Sequence, residues 1–280
     1  MIAFRTMRRD DIKSGLALCR IAGWNQLSRD WEIFLKLSPG GCIVALEDDK
    51  VIGTVTTLRY QQFFSWIGMV LVDPAYRGQG AGMGLLKEAL RVLENEETIK
   101  LDATPAGREI YLKLDFEDEY ELSRMVATKP SKAFKSARVK LIEKENIKVI
   151  SNFDKKIFGA DRKQLLTWMR KGAPEYAFMI EDRDEVQGYC MARHGYHFTH
   201  IGPVVAKNMS VARMLISSVL SSVEDTPVVL DATRFDESWL AWLKYAGFTE
   251  QRRLSRMYRG KNNSSGVPEN QFAILGPEFG

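Results

Sequence analysis

Eight consecutive residues with four glycines form a candidate anion-binding turn. They read Arg-Gly-Gln-Gly-Ala-Gly-Met-Gly at residues 77–84. The apolar run at residues 66–72 before them is typical of a buried strand, and the amphipathic run at residues 85–94 after them is typical of a helix. Glycines let the backbone approach a ligand closely, and the unpaired amides of a helix N-terminus direct partial positive charge at an anion. The pattern predicts a site for a phosphorylated molecule.

Two common phosphate-binding motifs do not fit this turn. The dinucleotide fingerprint requires glycine at its first, third and sixth positions. Counted from Gly78 the sixth residue is Met83, and counted from Gly80 it is Leu85. The triphosphate loop ends in Gly-Lys-Ser or Gly-Lys-Thr, but the first lysine after the glycines is Lys87, and an acidic residue follows it. Both motifs are therefore excluded.

The strand, the turn and the helix together closely resemble motif A of the GNAT acyltransferase superfamily. In that family an Arg/Gln-x-x-Gly-x-Gly/Ala segment binds the pyrophosphate of acetyl-coenzyme A, and Arg77 and Gly80 are the strict matches here. The resemblance implies that the backbone of residues 69–72 holds the thioester arm of this cofactor. The alternative is a turn that merely connects a strand to a helix. The residues that the resemblance assigns to the cofactor are Leu71, Val72, Arg77, Gly78, Gln79, Gly80, Ala81, Gly82 and Gly84.

A tyrosine after the glycine turn is the candidate proton donor. The segment Glu-Ile-Tyr-Leu-Lys-Leu-Asp-Phe at residues 109–116 is similar to the family's x-x-Tyr-x-x-Leu-Gly-Phe helix, with Asp115 in the glycine place. The resemblance implies that Tyr111 protonates the departing thiolate. A tyrosine with an ordinary pKa of about 10 stays protonated at neutral pH and can donate. A tyrosine packed between a helix and a sheet is the structural alternative.

The acceptor side offers weaker candidates. Asp102, on the strand beside the motif strand, is a candidate catalytic group that polarises an ammonium, although its repetition at Asp231 favours a structural role such as capping the next turn. Trp24, Asn25 and Gln26 lie between the first two predicted helices, and the resemblance implies that this segment lines the acceptor pocket. They offer an apolar wall and amide hydrogen bonds. A turn anchored by a core tryptophan is an equal alternative.

No residues have the spacing of a metal site, and we expect none. The three histidines fall within residues 194–200 on a predicted hairpin, without an accompanying thiolate or carboxylate, so a surface hairpin is the expectation. The three cysteines are odd in number and widely spaced, which argues against a disulfide framework and a tetrathiolate zinc site. We expect buried thiols at Cys19, Cys42 and Cys190.

The composition is that of a globular protein with room for two domains. The chain has 280 residues, 45% apolar and 27% charged. Its net charge of +4 arises from 40 basic and 36 acidic residues scattered along the chain, which argues against nucleic-acid binding. No run approaches the about 20 apolar residues that span a membrane, and the N-terminus lacks a signal-peptide core. We expect a cytoplasmic protein without a membrane partner, and a homo-oligomer stays open.

An internal repeat predicts two copies of one domain. Leu-Asp-Ala-Thr occurs at residues 101–104 and 230–233, and Leu-Ser-Arg-Met at residues 122–125 and 254–257. The offsets of 129 and 132 residues indicate a tandem duplication. We predict an α/β (α+β) fold of two tandem GNAT-like domains, each a mixed, mostly antiparallel sheet flanked by helices. The predicted limits are 1–128 for the acetyl-CoA-binding domain, 129–136 for a linker, 137–260 for a diverged domain and 261–280 for a C-terminal tail.

The second copy lacks the groups that would bind a cofactor. It has Val-Val-Ala-Lys-Asn-Met-Ser at residues 204–210 in place of the glycine turn, and Leu243 at the Tyr111 position. The layout resembles a bacterial tandem-GNAT group with an intact first and a diverged second domain. We predict an acetyl-CoA-dependent N-acyltransferase in which a small-molecule amine attacks the thioester directly. The alternatives are a non-catalytic acyl-CoA sensor and an acetyltransferase for protein lysines or N-termini.

Overall fold

The computed structural model describes residues 1–130, 136–223, 226–262 and 266–280. Within these residues the chain forms one sheet of thirteen strands with helices on both faces. The elements of the first half are β1 (Ala3–Thr6), α1 (Ile12–Ile21), α2 (Ser28–Leu37), β2 (Cys42–Glu47), β3 (Lys50–Tyr60), β4 (Phe64–Val72), α3 (Ala81–Val92), β5 (Thr98–Ala103), α4 (Pro105–Leu112) and β6 (Glu117–Ala127).

The second half repeats this order and adds a short strand near the C-terminus. Its elements are β7 (Val139–Leu141), α5 (Ile147–Phe158), α6 (Lys163–Gly172), β8 (Phe178–Asp182), β9 (Glu185–Arg193), β10 (Thr199–Ala206), α7 (Met209–Ser222), β11 (Val228–Thr233), α8 (Glu237–Tyr245), β12 (Thr249–Gly260) and β13 (Gln271–Ala273). No helix among the described residues is long and apolar enough to cross a membrane.

The two halves exchange their long strands within the sheet. The order across the sheet is β1-β2-β3-β4-β5-β12-β6-β11-β13-β10-β9-β8-β7. Strand β12 of the second half thus lies between β5 and β6 of the first half, while β6 lies against β11 of the second. Among the described strands only β4 with β5 and β10 with β11 pair in parallel. The exchange makes the sheet continuous across the repeat.

Three main apolar cores stabilise this arrangement. One lies under α3 and α4 of the first half, and one lies under α7 and α8 of the second. The third is shared, because it joins Trp31 and Phe34 of α2 to Phe158 of α5, Leu166 of α6 and Phe279 near the C-terminus. Burial of these large side chains contributes about 1.5–3 kcal/mol each, so the halves are held together by packing as well as by strand pairing.

The predicted fold class is confirmed, since the sheet is mostly antiparallel and flanked by helices. The sequence pattern predicts a helix over residues 28–37 and a strand over residues 42–47, and α2 and β2 have these limits. The predicted domain limits stay a prediction. The predicted linker, residues 129–136, falls largely on residues 131–135, and the predicted tail includes residues 263–265; both stretches lie outside the described residues.

Candidate active site

Strands β4 and β5 form a wedge at the centre of the first half. They pair in parallel at only two positions, Ser65 with Ile99 and Trp66 with Lys100. From residue 67 onward the edge of β4 has no partner strand on the β5 side within the described sheet. Backbone groups on the open edge of a strand are available to an extended ligand. The wedge therefore offers an open strand edge to an extended, peptide-like ligand.

A β-bulge bends β4 at the wedge. Its register with β3 shifts between the pairs Thr54 with Leu71 and Thr56 with Gly68, so two residues of β4 face one of β3. Met69, one of these two residues, has a φ of 52°. Its carbonyl oxygen accepts a hydrogen bond of 2.8 Å from Thr54 Oγ1. Because a bulge leaves one residue outside the ladder, a backbone amide of β4 is released from sheet pairing here.

The wedge opens into a large cleft of about 1190 Å³. The cleft is lined by the glycine turn, including Arg77 and Gly80. It is also lined by Gln26 of the first half, His200 of the second half and Glu278 near the C-terminus. A cleft of this volume can admit two ligands together.

The glycine turn has the backbone conformation of an anion cradle. Gly78 and Gly80 have φ values of 76° and 88°, and Gly80 is the N-cap of α3. Such values favour glycine. A Cβ atom at either position would meet no atom within 4 Å, so packing does not require glycine there and the space above the turn is open. Arg77 Nε donates a hydrogen bond of 3.2 Å to the carbonyl of Val72, which holds the guanidinium at the mouth of the cleft.

The other residues of the turn contribute in different ways. Gly82 lines the cleft, as do Leu71 and Val72 of β4. Ala81 is buried in the core under α3, so only its backbone is available to a ligand. The Gln79 side chain donates to the carbonyl of Ala75 at 3.1 Å.

The assignment of Gly84 to the cofactor stays a prediction, and its surroundings favour a packing role. Its amide donates to the Gly80 carbonyl at 2.9 Å within α3, so this donor is already used. A Cβ at Gly84 would lie 2.2 Å from the ring of Phe4 on β1. The residue is small because the helix packs closely on that strand, and it does not line the cleft.

Tyr111 lies on α4 and lines the cleft. Its ring packs edge-on against Phe116 at 5.9 Å between centroids. Burial raises the pKa of its hydroxyl to about 12, so the hydroxyl stays protonated at neutral pH and is a donor. No hydrogen bond occupies it among the described residues. Tyr111 is thus a packed residue with a protonated hydroxyl, and its role as the proton donor stays a prediction.

Asp102 also lines the cleft, but its carboxylate is engaged. Both of its oxygens accept hydrogen bonds of 2.9 Å from the guanidinium of Arg256 on β12. Its side chain is fully buried. Burial raises the pKa of Asp102 although Arg256 opposes the rise, but both carboxylate oxygens are occupied by the guanidinium and are not free to bind an ammonium. The catalytic role of Asp102 stays a prediction, and the geometry favours the structural alternative.

The predicted acceptor segment divides into lining and tethering residues. Trp24 and Gln26 line the cleft, and Gln26 Oε1 is buried without a hydrogen-bond partner among the described residues. Asn25 lines it as well, but its side chain is used elsewhere. Its Oδ1 accepts from the amides of His197 and Phe198 at 2.8 and 3.0 Å, and its Nδ2 donates to the Phe198 carbonyl at 3.0 Å. The role of Asn25 in acceptor binding stays a prediction, and these bonds make its side chain a tether between the halves.

The histidine hairpin is only partly at the surface. His194 and His197 are exposed, as expected, but His200 is buried on β10 and lines the cleft. Its Nε2 lies 3.2 Å from Asp231 Oδ2, and its Nδ1 lies 3.2 Å from an Arg193 nitrogen. Burial lowers the pKa of His200, so the imidazole is neutral at pH 7. The described residues hold no group of three or more side chains suited to a metal ion.

Comparisons with known proteins identify the family of this chain. Residues 11–116 match a model described as the acetyltransferase (GNAT) family, and residues 150–273 match one described as an acetyltransferase (GNAT) domain. Holothin acyltransferase of Pseudoalteromonas sp. (strain SANK 73390) is 30% identical over 258 residues, 92% of this chain and 87% of that protein. The chain is a tandem GNAT acetyltransferase.

Solved structures show the same fold over the whole chain. A Pyrococcus horikoshii protein described as a candidate acetyltransferase matches with a TM-score of 0.83 and 24% identity, over all of this chain and 96% of that one. A GCN5-related N-acetyltransferase from Sphaerobacter thermophilus matches with a TM-score of 0.67 and 14% identity, over 94% and 98% of the two chains. The tandem arrangement is therefore shared with other GNAT structures.

In this GNAT acetyltransferase the second half has its own wedge, and the chain itself fills it. Strands β10 and β11 pair only at Thr199 with Val228 and His200 with Val229, and then separate. Strand β13 lies between them and pairs with both. The Phe272 carbonyl accepts a hydrogen bond of 2.9 Å from the Trp239 indole. The edge that corresponds to the open edge of β4 is thus occupied.

The same C-terminal segment then crosses to the first wedge. A Cβ at Gly68 on β4 would lie 2.7 Å from the Glu278 carbonyl oxygen, so only glycine allows this approach. Glu278 Oε1 accepts hydrogen bonds from Gln26 Nε2 at 2.9 Å and from Arg193 at 2.6 Å. Burial by itself raises the pKa of Glu278, but the Arg193 guanidinium holds that pKa below its ordinary value. A carboxylate anion therefore lines this GNAT cleft beside Gln26.

The apolar end of the predicted tail, residues 272–277, is suited to dock on the protein, but the sequence does not place this segment at the cleft. The available signal was Glu278, the one charged residue in the run from 271 to 280. A single acidic residue in an apolar run that docks on a protein has to find a buried partner. In this GNAT acetyltransferase the partners come from both halves, which no local pattern indicates.

Proposed function

We propose that the protein transfers an acetyl group from acetyl-CoA to the amine of a small molecule, by direct attack of the amine on the thioester. The wedge between β4 and β5 carries the proposal, because it joins the glycine turn, the bulge at Met69 and Tyr111 in one cleft. Acetyl-CoA would supply an acetyl group already activated as a thioester. The chain then has to bind, orient and move protons.

Each residue fits one of these tasks. The α3 N-terminus with Arg77, Gly78 and Gly80 would hold the pyrophosphate, since its amides are unpaired and the space above them is open. The open edge of β4 would bind the pantetheine arm as an added strand, and the amide released by the bulge would hold the acyl oxygen. Tyr111, protonated because burial raises its pKa to about 12, would protonate the thiolate.

The acceptor would enter the cleft beside Gln26. Gln26 Oε1 lacks a partner there among the described residues, and the Glu278 carboxylate lies beside it. Both oxygens are acceptors that can orient an amine. A relative that is 30% identical is named holothin acyltransferase, which supports acyl transfer here, and the cleft of about 1190 Å³ lined in part by Trp24 suits a small-molecule acceptor.

Acetyl-CoA binding tests the cradle directly. Isothermal titration calorimetry should give a dissociation constant at least about 100-fold higher for Gly80→Asp and for Arg77→Glu than for the unmodified protein, because each places negative charge beside a phosphate. Gly40→Asp is the matched control, since Gly40 is an exposed glycine with free space around it. Its affinity should be unchanged. Equal affinity in all four proteins would remove the cradle from the proposal.

Turnover is tested with a panel of small amines. Release of the coenzyme A thiol should depend on the amine and stop in Gly80→Asp. Tight acetyl-CoA binding without thiol release on any amine would favour a sensor over an enzyme of this specificity.

A further inference from the structure

Arg252 is a cation in the cleft, and it belongs neither to the proposed cofactor site nor to the proposed acceptor site. It lies on β12 directly opposite Arg124 on β6. Because alternate residues of a strand share a face, Arg252 lies on the same face of the sheet as Leu254 and Arg256. Arg124, Arg252 and Leu254 all line the cleft. Arg124 and Arg252 are therefore neighbouring cations in the lining of the cleft.

The neighbouring arginines are paired, and Arg252 is not. Arg256 binds both oxygens of Asp102 at 2.9 Å, and Arg124 binds both oxygens of Asp231 at 2.8 Å. Arg252 is half-buried and makes no ion pair or hydrogen bond with any described side chain or backbone group, and its Nε is buried. Burial, and then repulsion by Arg124, lower the pKa of Arg252, yet an arginine stays charged at neutral pH.

An unpaired guanidinium at this depth is costly, and an anion bound beside it would offset the cost. Leaving a charged donor buried without a partner loses the solvation that water would provide. The Arg252 guanidinium presents a planar set of donors that matches a carboxylate in bidentate geometry. Arg252 lines the open cleft, so a substrate that enters the cleft can bring the anion that pairs with it.

The anion belongs to the acceptor and not to the cofactor. Leu101 and Met257 lie on the opposite face of the same strands and pack in the core that contains the α3 residues Leu85 and Leu86. The glycine turn begins α3, so the proposed phosphate cradle lies on that opposite face. Arg252 faces the side that carries the acceptor residues.

We infer that the acceptor amine also carries a carboxylate, and that Arg252 binds it. The inference rests on the proposed N-acyl transfer and names its substrate class. A singly charged carboxylate matches the single unpaired guanidinium, because Asp102, Asp231 and Glu278 already neutralise the neighbouring arginines. The amine would point to Gln26 and the carboxylate to Arg252. Trp24, Phe198 and Leu254 line the same cleft with apolar surface, which suits an amino acid with an apolar side chain.

Binding of matched acid and amide pairs tests the inference without requiring turnover. We would titrate N-acetyl-L-phenylalanine and N-acetyl-L-phenylalaninamide, and the corresponding leucine and glycine pairs, in the presence of coenzyme A. The unmodified protein should bind at least one acid about 10-fold or more tightly than its amide, and Arg252→Met should reduce this preference to about onefold. Acetyl-CoA affinity should change by less than about twofold.

Arg253→Met is the matched control. Arg253 is the next residue of β12, on the other face, exposed and close to Glu121 and Glu250. Its loss should leave the preference for the acid intact, and thermal unfolding should show that both variants are folded.

The possible results separate the two proposals. Equal affinity for acid and amide in the unmodified protein, or no binding of any acid, would overturn the inference. So would an Arg252→Met variant that binds acetyl-CoA more weakly but keeps the preference, since Arg252 would then serve the cofactor phosphates. A preference for the acid that Arg252→Met abolishes, with no acetyl transfer to free amino acids, would support the carboxylate site and count against the proposed transfer reaction.

Discussion

Arg124 of the first half binds Asp231 of the second through two hydrogen bonds of 2.8 Å. The reciprocal ion pair is also present, since Arg256 of the second half binds Asp102 of the first through two hydrogen bonds of 2.9 Å. Each arginine comes from a Leu-Ser-Arg-Met repeat and each aspartate from a Leu-Asp-Ala-Thr repeat. The repeated motifs are therefore the two sides of crossed ion pairs that hold the exchanged strands together.

Breaking one crossed pair should destabilise the whole protein. Asp231→Asn leaves Arg124 buried with its charge uncompensated, so we expect the free energy of unfolding to fall by about 3–5 kcal/mol. Replacing both residues, as Arg124→Met with Asp231→Leu, should recover part of the loss. Urea unfolding followed by circular dichroism measures both effects. Asp118→Asn is the control, because the Arg108–Asp118 pair is at the surface and should be worth less than about 1 kcal/mol. Equal losses in the two single variants would contradict this account.

Tyr111→Phe should separate chemistry from binding. It removes the proposed proton donor and keeps the ring that packs against Phe116. We expect kcat to fall by about 100-fold, while the dissociation constant for acetyl-CoA changes little. Thiol release and calorimetry give the two quantities. An unchanged kcat would show that Tyr111 is only a packing residue.

Glu278→Gln should weaken acceptor binding and spare the cofactor. The change removes the carboxylate charge beside Gln26 in the cleft. We expect KM for the acceptor amine to rise by about 10-fold, as for the loss of one hydrogen bond to a charged group, with acetyl-CoA affinity unchanged. Glu269→Gln, at an exposed position of the same segment, is the control. A fall in acetyl-CoA affinity, or the same rise in KM for the control, would argue against this role.

Mild acid should destabilise the protein through His200. Burial lowers the pKa of His200 below its ordinary value of 6.5, so the unfolded chain binds a proton more readily than the folded one. Stability is therefore complete above about pH 6.5 and is lost as the pH falls below it, by up to about 1.4 kcal/mol per pH unit from this residue. Urea unfolding between about pH 5 and 8 measures the slope, which should be shallower in His200→Gln. The exposed His197→Gln should keep the original slope, and identical slopes in both variants would exclude His200 as the cause.

The local features of this protein follow from its sequence. The glycine turn and the start of α3 depend on neighbouring residues, because positive φ angles and a helix N-terminus are short-range properties. The same is true of the limits of α2 and β2 and of the position of Tyr111 on α4. The repeated motifs, and the absence of a glycine turn in the second copy, likewise indicated two related halves with one candidate cofactor site.

The contacts between distant parts of the chain were decided only by the tertiary structure. The exchange of β6 and β12, the docking of β13 in the second wedge and the use of Asn25 as a tether all join residues that are far apart in sequence. Such pairings depend on which surfaces can be buried together and which buried charges find partners, and no short segment encodes that balance. Glu278 and Arg252 reach the cleft for this reason. The sequence by itself determined the cradle for the proposed cofactor, and the tertiary structure determined the wall that faces the acceptor.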